Sequence, residues 1–189
     1  MKLLGSITSP FARRLRLYLA DREHEFVNLD IFAEKDRDLL TKNNPAKKIP
    51  ALIDGEQCIY DSRVIFRYLA DKYQQAPLSW TQENLLTLID AANDSLVSIL
   101  VLQRSNIDTE QDSLFFNLQR ERIGQVFNTL DKEIALGSFN DWHYPAICLF
   151  CLLDWAEFRD LAKWQHFSNL KAFHQEYESL AAVKLTDPR

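Results

Sequence analysis

Hydrophobic and polar positions along this chain follow two different patterns, and the change falls near residue 76. In the first part, apolar runs are short and bounded by turn residues, as strands and short helices require. Residues 2–6 form an apolar run, and Phe26-Val27-Asn28-Leu29 reads as a second strand. Between them, Ser9-Pro10 opens a helix, because serine caps well and proline suits the first helical position. Phe11, Leu15, Tyr18 and Leu19 make one face of that helix, with Arg13, Arg14 and Arg16 around the rest. Asp36 to Lys42 is a short charged helix or turn. Ala51-Leu52-Ile53, Asp54-Gly55 and Gln57 to Tyr60 form a hairpin on its expected turn dipeptide. Asp61 or Ser62 then caps a third helix, with Val64, Ile65, Tyr68 and Leu69 facing inward. The order βαβ then ββα predicts a thioredoxin-like α/β module, a four-stranded mixed sheet with flanking helices.

Gln74-Gln75-Ala76-Pro77 breaks the pattern, and four helical patterns with no internal repeat follow it. Leu85, Leu88, Ile89, Ala92, Leu96, Ile99 and Leu100 predict a helix from about residue 82 to 103. Phe115, Leu118, Ile123, Val126, Phe127, Leu130 and Ile134 predict another over 112–134. Pro145 to Phe158 is apolar on nearly all sides, which marks a buried central helix. Residues 161–178 form an amphipathic, aromatic-rich helix. The expected organisation is a thioredoxin-like domain over 1–75, a linker over 76–82 and an all-α domain over 83–189.

Composition excludes several classes. Hydrophobic residues make up 47% and charged residues 26% of 189, an ordinary globular balance with ample length for a core. The net charge of −5 argues against a nucleic-acid partner, which needs a basic face. The longest uninterrupted apolar run, Ala146 to Leu153, is too short to cross a bilayer, so no membrane role is expected. The N-terminal residues lack a signal-peptide core, and three cysteines form no paired framework, so a cytoplasmic location is expected.

The densest chemistry lies in Asn44-Pro45-Ala46-Lys47-Lys48-Ile49-Pro50-Ala51-Leu52 and in Tyr60-Asp61-Ser62. A proline opening a strand cannot donate a ladder hydrogen bond, and here it marks a fixed turn, with a cis peptide one way to build it. Such a turn leaves the Ile49 backbone facing outward, ready to hold an extended peptide as an added strand. Asp61 and Ser62 offer a carboxylate, a hydroxyl and unpaired N–H groups at a helix start, which suits a small zwitterion. Together they point to a peptide-like ligand.

With Ser6-Ile7-Thr8-Ser9-Pro10-Phe11 at the start and Trp155-Ala156-Glu157-Phe158-Arg159 late in the chain, these segments resemble the cytosolic glutathione S-transferase family. The start is similar to its small bacterial YibF-like branch. The resemblance implies reduced glutathione as co-substrate, a small hydrophobic electrophile as partner, a homodimer, and a detoxifying transferase activity. It implies that Ser9 donates to the glutathione sulfur, which matters because the thiolate is the nucleophile. Phe11, through its backbone amide, is the rival for that contact. Ile49 and Pro50 would meet the cysteinyl part, Ser62 the γ-glutamyl carboxylate, Asp61 its amine, and Lys48 the glycyl carboxylate. For Ser9 alone, a plain helix cap explains the residue equally well.

Four positions depart from the family pattern that the resemblance implies: Lys47, where glycine is common; Arg63, where proline is common; and His143 with Ala146, where a capping box is usual. Asn140 or Asp141 is the expected substitute cap. These departures favour a catalytically inert binding scaffold, resembling stringent starvation protein A, as one alternative; a glutathione-dependent peroxide or disulfide reductase is the other. Cys148 and Cys151 sit within the most apolar helix and read as core thiols, and Cys58 as structural. His24, His143, His166 and His174 are scattered, so no metal site is expected. Arg13, Arg14 and Arg16 with Lys42, Lys47 and Lys48 form either a solvated face or a basic rim that attracts an anionic ligand.

Overall fold

The computed structural model describes residues 1–31 and 33–189. Two compact units are present: Met1–Leu78 with Leu180–Arg189, and Ser79–Ser179.

The first unit is built on a sheet of four short strands, β1 (Lys2–Gly5), β2 (Glu25–Asn28), β3 (Ala51–Asp54) and β4 (Gln57–Tyr60). Their spatial order is β2-β1-β3-β4. β1 runs parallel to β2 and antiparallel to β3, and β3 and β4 form an antiparallel hairpin. The helices α1 (Pro10–Tyr18), α2 (Glu34–Asn43) and α3 (Ser62–Lys72) complete the expected thioredoxin-like layout. Gly5 lets α1 lie close to β1, since a Cβ there would stand 2.7 Å from Ala12 Cβ. Ile65, Phe66, Leu69 and Ala70 form the buried face of α3. Val64, expected inside, is 49% exposed, because the helix starts at Ser62 and turns that position outward.

Arg13 and Arg14 also differ from the amphipathic reading. Both are buried, Arg14 completely. Arg13 spans to the end of the chain, where Nη2 donates to the Val183 carbonyl (3.1 Å) and Nε to Thr186 Oγ1 (3.3 Å). The short helix α8 (Ala181–Leu185) thereby joins the first unit, whereas the sequence grouped residues 180–189 with the helical half. A guanidinium that finds acceptors 170 residues away leaves no periodic signal.

The second unit is all helical: α4 (Trp80–Arg104), α5 (Leu114–Ala135), α6 (Tyr144–Phe158) and α7 (Ser168–Tyr177). Ser79 and Gln82 form a reciprocal capping box at the start of α4. α4 is long and apolar enough to cross a membrane by length and composition, although it holds no long unbroken apolar run. Its apolar residues are interleaved with small polar ones, and Leu85, Ile89, Asn93 and Leu96 are buried within the unit, as in a core helix. In α5 the inward face is Phe116, Gln119, Ile123, Val126, Phe127 and Leu130. Phe115 and Leu118, expected inside, are 46% and 45% exposed, because helical spacing back from Ile123 selects 119 and 116.

α6 is buried along almost its whole length, Tyr144 through Ala156, as its sequence predicts. Its cap is His143, and neither Asn140 nor Asp141 takes that role. The Ala146 N–H donates to His143 Nδ1 (3.2 Å). Nε2 lies 3.1 Å from the Ser138 carbonyl, an acceptor only, so the proton sits on Nε2 and Nδ1 is left to accept. A neutral imidazole thus does the work of a capping hydroxyl. α7 is shorter than the 161–178 expected from the pattern. The preceding segment is instead held by Trp164, buried, whose Nε1–H donates to the Leu153 carbonyl (2.9 Å).

The His143 cap is testable by substitution. His143→Ala is expected to lower stability by about 1 kcal/mol, the usual value of an N-cap. For a protein of this length that is roughly 2–4 °C in Tm. His143→Ser should recover most of the loss, and a thermal melt of the three proteins decides it. Equal melting of the alanine and native proteins would show that the imidazole is not the cap.

Candidate functional site

Strand register brings the three sequence-predicted segments to one end of the sheet. Leu4 pairs with Ala51, and Ala51 pairs with Tyr60. The residues just beyond these pairs therefore emerge together: Ser6–Ser9 after β1, Ile49-Pro50 before β3, and Asp61-Ser62 after β4. Ser9, Phe11, Ile49, Pro50, Asp61 and Ser62 all stem from that end, with Lys48 next to Ile49 in the same loop.

After β1 the chain turns through Ser6–Thr8, with the Ser9 N–H donating to the Ser6 carbonyl (3.0 Å). The Ile7 N–H donates to Asn28 Oδ1 (3.0 Å), which fixes the turn to the end of β2. Ser9 is the N-cap of α1, half-buried, and its Oγ accepts from the Ala12 N–H (3.2 Å). Its hydroxyl proton is not used in that bond, so capping and donation to a ligand are compatible. Pro10 has no N–H, and the Ala12 and Arg13 amides go to the Ser9 side chain and carbonyl. The Phe11 amide is left as the unpartnered first-turn donor among the described residues, at the positive end of the helix. The Arg14 guanidinium lies over the Phe11 ring at 4.8 Å.

The loop before β3 depends on Asn44, a residue the sequence reading left without a role. Asn44 is buried, its Nδ2 donating to the Lys48 carbonyl (2.7 Å) and its Oδ1 accepting from the Ala46 N–H (2.9 Å). The Asn-Pro pair was the available signal, since asparagine side chains commonly organise such turns. Lys47 occupies the left-handed region at φ 55°, which explains why glycine suits that position. The Ile49-Pro50 peptide is cis, one of the options the proline suggested. The Ile49 side chain packs on the cluster of Leu4, Leu29, Leu40 and Ala51. Its backbone groups precede the ladder and carry no hydrogen bond among the described residues.

At the third segment, Asp61 caps α3 through a single oxygen, Oδ1, which accepts from the Arg63 N–H (2.9 Å) and the Val64 N–H (3.2 Å). Its backbone is held at φ 74°, ψ 129°, a conformation that non-glycine residues adopt at the expense of about 1–3 kcal/mol and that concentrates at functional sites. Ser62, the first residue of α3, is buried. Arg63 supplies an N–H to the cap that a proline would lack, so the departure strengthens the helix start.

The basic rim reduces to lysines. Arg13 and Arg14 are buried, and Arg16 stacks over Phe26 at 4.5 Å, whereas Lys47 and Lys48 are exposed beside Ile49. Cys148 and Cys151 are buried as expected, and partial burial pushes the Cys58 thiol up, away from nucleophilic use.

The position of α3 is further fixed by Asp54 at the end of β3, which accepts from Lys72 and from the Tyr68 hydroxyl (2.8 Å). The Lys72 ammonium foremost, and Tyr68 next, hold the Asp54 carboxyl below the usual carboxylate range.

This geometry is that of a known class. Residues 1–71 match the family described as glutathione S-transferase, N-terminal domain. The chain is 28% identical to the uncharacterized GST-like protein YibF of Escherichia coli (strain K12), over 86% of this chain and 85% of that protein. It is 27% identical to a probable glutathione S-transferase of Glycine max, covering 97% of both. A glutathione S-transferase from Methylobacillus flagellatus KT, solved with glutathione bound, superposes with a TM-score of 0.87 at 26% identity, covering 100% of this chain and 99% of that one. Residues 1–71 thus carry the N-terminal signature of the glutathione S-transferases, and along its length the chain is similar to GST proteins that include the YibF-like one.

Two expectations test the site's supports. A depressed carboxyl stabilises the fold above its ordinary value of about 3.9, and that contribution is lost as pH falls through the lower folded value. Melting Asp54→Asn beside the native protein should therefore show a Tm gap at neutral pH that closes below about pH 4. A gap independent of pH would mean that the carboxylate charge is not what holds α3. Asn44→Ala strands the Lys48 carbonyl and the Ala46 amide, and urea unfolding should register a loss of about 1–3 kcal/mol.

Proposed function

We propose that this protein binds reduced glutathione at this end of the sheet and transfers its thiolate to a small hydrophobic electrophile. The observation that carries the reading is the convergence, by strand register, of Ser9, Ile49 and Asp61-Ser62. A tripeptide with a zwitterionic head, an extended middle and a thiol needs those three kinds of group. Ile49 pairs its backbone with the cysteinyl unit as an added strand beside cis-Pro50. Ser62, at the positive end of α3, takes the γ-glutamyl carboxylate, and the second Asp61 oxygen, not used in the cap, takes the amine. Lys48, and more weakly Lys47, attract the glycyl carboxylate.

The sulfur then lies at the start of α1. The Ser9 hydroxyl and the unpartnered Phe11 amide both donate there, and the helix dipole adds to them. A free thiol ionises near pH 8.5, so donors aimed at sulfur raise the thiolate fraction at neutral pH. The protein supplies position and a preorganised field, with no covalent intermediate on its own residues. The glutathione bound in the Methylobacillus flagellatus enzyme supports the ligand. The family resemblance supports a cytoplasmic homodimer. Two departures that favoured an inert scaffold, at His143 and Arg63, are accommodated by working caps, and this favours the enzymatic reading.

Calorimetric titration with reduced glutathione tests the proposal. The native protein should bind between micromolar and millimolar, roughly −8 to −4 kcal/mol. Ser62→Ala should abolish the heat. Ser9→Ala should keep binding but lose turnover with an aryl halide, and activity on a peroxide instead would select the reductase. Absence of any heat with the native protein rejects the site.

A further inference from the structure

The helical unit contains a second constellation unrelated to that end of the sheet. Asp154 and Glu157 stand three residues apart on α6, which puts them on one helical face. His174 of α7 meets them, and one ligand atom from each of the three lies within 4.8 Å of the others. His174 Nε2 is 3.2 Å from Asp154 Oδ1, and both residues are buried. Glu157 is exposed and reaches inward from the surface, with Gln165 Nε2 donating to its Oε1 (3.2 Å). Four scattered histidines predict no metal site. A single histidine joined to two carboxylates across two helices gives no spacing signal.

We propose that Asp154, Glu157 and His174 form a site for a divalent transition-metal ion such as Zn²⁺. The donor set is the mixed imidazole and carboxylate type that such ions take, with ligands at about 2.0–2.2 Å and an open position left for water. Three features favour an ion over a plain histidine–aspartate pair. The imidazole is oriented in advance, stacked on Phe150 at 4.8 Å and 7° and flanked by Trp164 at 5.1 Å. Its other nitrogen, Nδ1, faces Glu178 Oε2 at 3.7 Å, the outer carboxylate that commonly accompanies a metal-bound histidine. Finally, three carboxylates surround one imidazole here. Lys163 is hydrogen-bonded to Asp160. Glu157 at the surface gives an ion a route to the buried pair.

The test is calorimetric titration of the full-length protein, free of glutathione, with ZnCl₂, run beside Glu157→Gln and Cys58→Ser. Glu157 is exposed, so its glutamine variant should fold normally, which circular dichroism would verify. One zinc equivalent is expected per chain, with Cys58→Ser unchanged and Glu157→Gln weaker by at least about tenfold. Substitution with Co²⁺ should give d–d absorption without the intense thiolate band. The proposal is overturned if the native protein gives no saturable heat, if Glu157→Gln binds as the native protein does, or if Cys58→Ser abolishes binding.

Discussion

The pairing of Leu4 with Ala51, and of Ala51 with Tyr60, is the constraint on which the candidate site depends. It brings three segments that lie far apart in the chain to one end of the sheet. A shift of one residue in either pairing would turn alternate side chains to the opposite face. The core resists such a shift, because Leu3, Leu4, Ala51 and Leu52 are all buried. The hydrophobic core therefore sets the position of backbone groups that never enter it.

Around that end, local hydrogen bonds do the fine positioning, and each uses the simplest available chemistry. Ser9 and Asp61 satisfy helix N-termini, Asn44 closes a loop from inside, and Asn28 holds the turn after β1. Toward the C-terminal end of α3, Tyr68 and Lys72 both donate to Asp54 and tie the helix to the end of β3. Arg13 is unusual among these supports. It fixes α1, which carries Ser9, to the last residues of the chain, so the tail bears on the geometry of the site through a buried guanidinium.

Much of this was legible in the sequence where a signal is local. Ser9-Pro10 announced a helix start, Asp54-Gly55 a hairpin, and residues 145–158 a buried helix, because capping, turn chemistry and all-round apolarity act over a few residues. What was not legible depends on distant partners. The burial of Arg13 and Arg14 requires acceptors elsewhere in the fold, and charge alone suggested a solvent face. The shift from Phe115 to Phe116 as the inward residue of α5 reflects where a helix begins, which adjacent aromatics do not resolve. His143 was passed over as a cap because the usual caps are hydroxyls and carboxylates. An imidazole qualifies only once Ser138 fixes its proton on Nε2. The role of Asn44 was missed for a related reason: the motif was recognised, but the hydrogen bond lies inside the loop.

The departures at Lys47, Arg63 and His143 share a lesson about how such a site tolerates change. Under the proposed reading, the groups that meet the ligand are largely main chain: the Phe11 amide and the Ile49 amide and carbonyl. Their positions are set by φ, ψ and helix termini, so a side chain may change wherever the backbone conformation survives. Lys47 keeps the left-handed turn that glycine would hold more cheaply. Arg63 keeps the first turn of α3 and adds an N–H to its cap. His143 keeps the start of α6 by a different acceptor. A chain can thus stand at about a quarter identity to a glutathione-bound relative and still superpose along its whole length. Side chains that themselves make the capping and loop hydrogen bonds, Ser9, Asn44 and Asp61, have less freedom, because their own atoms carry the function.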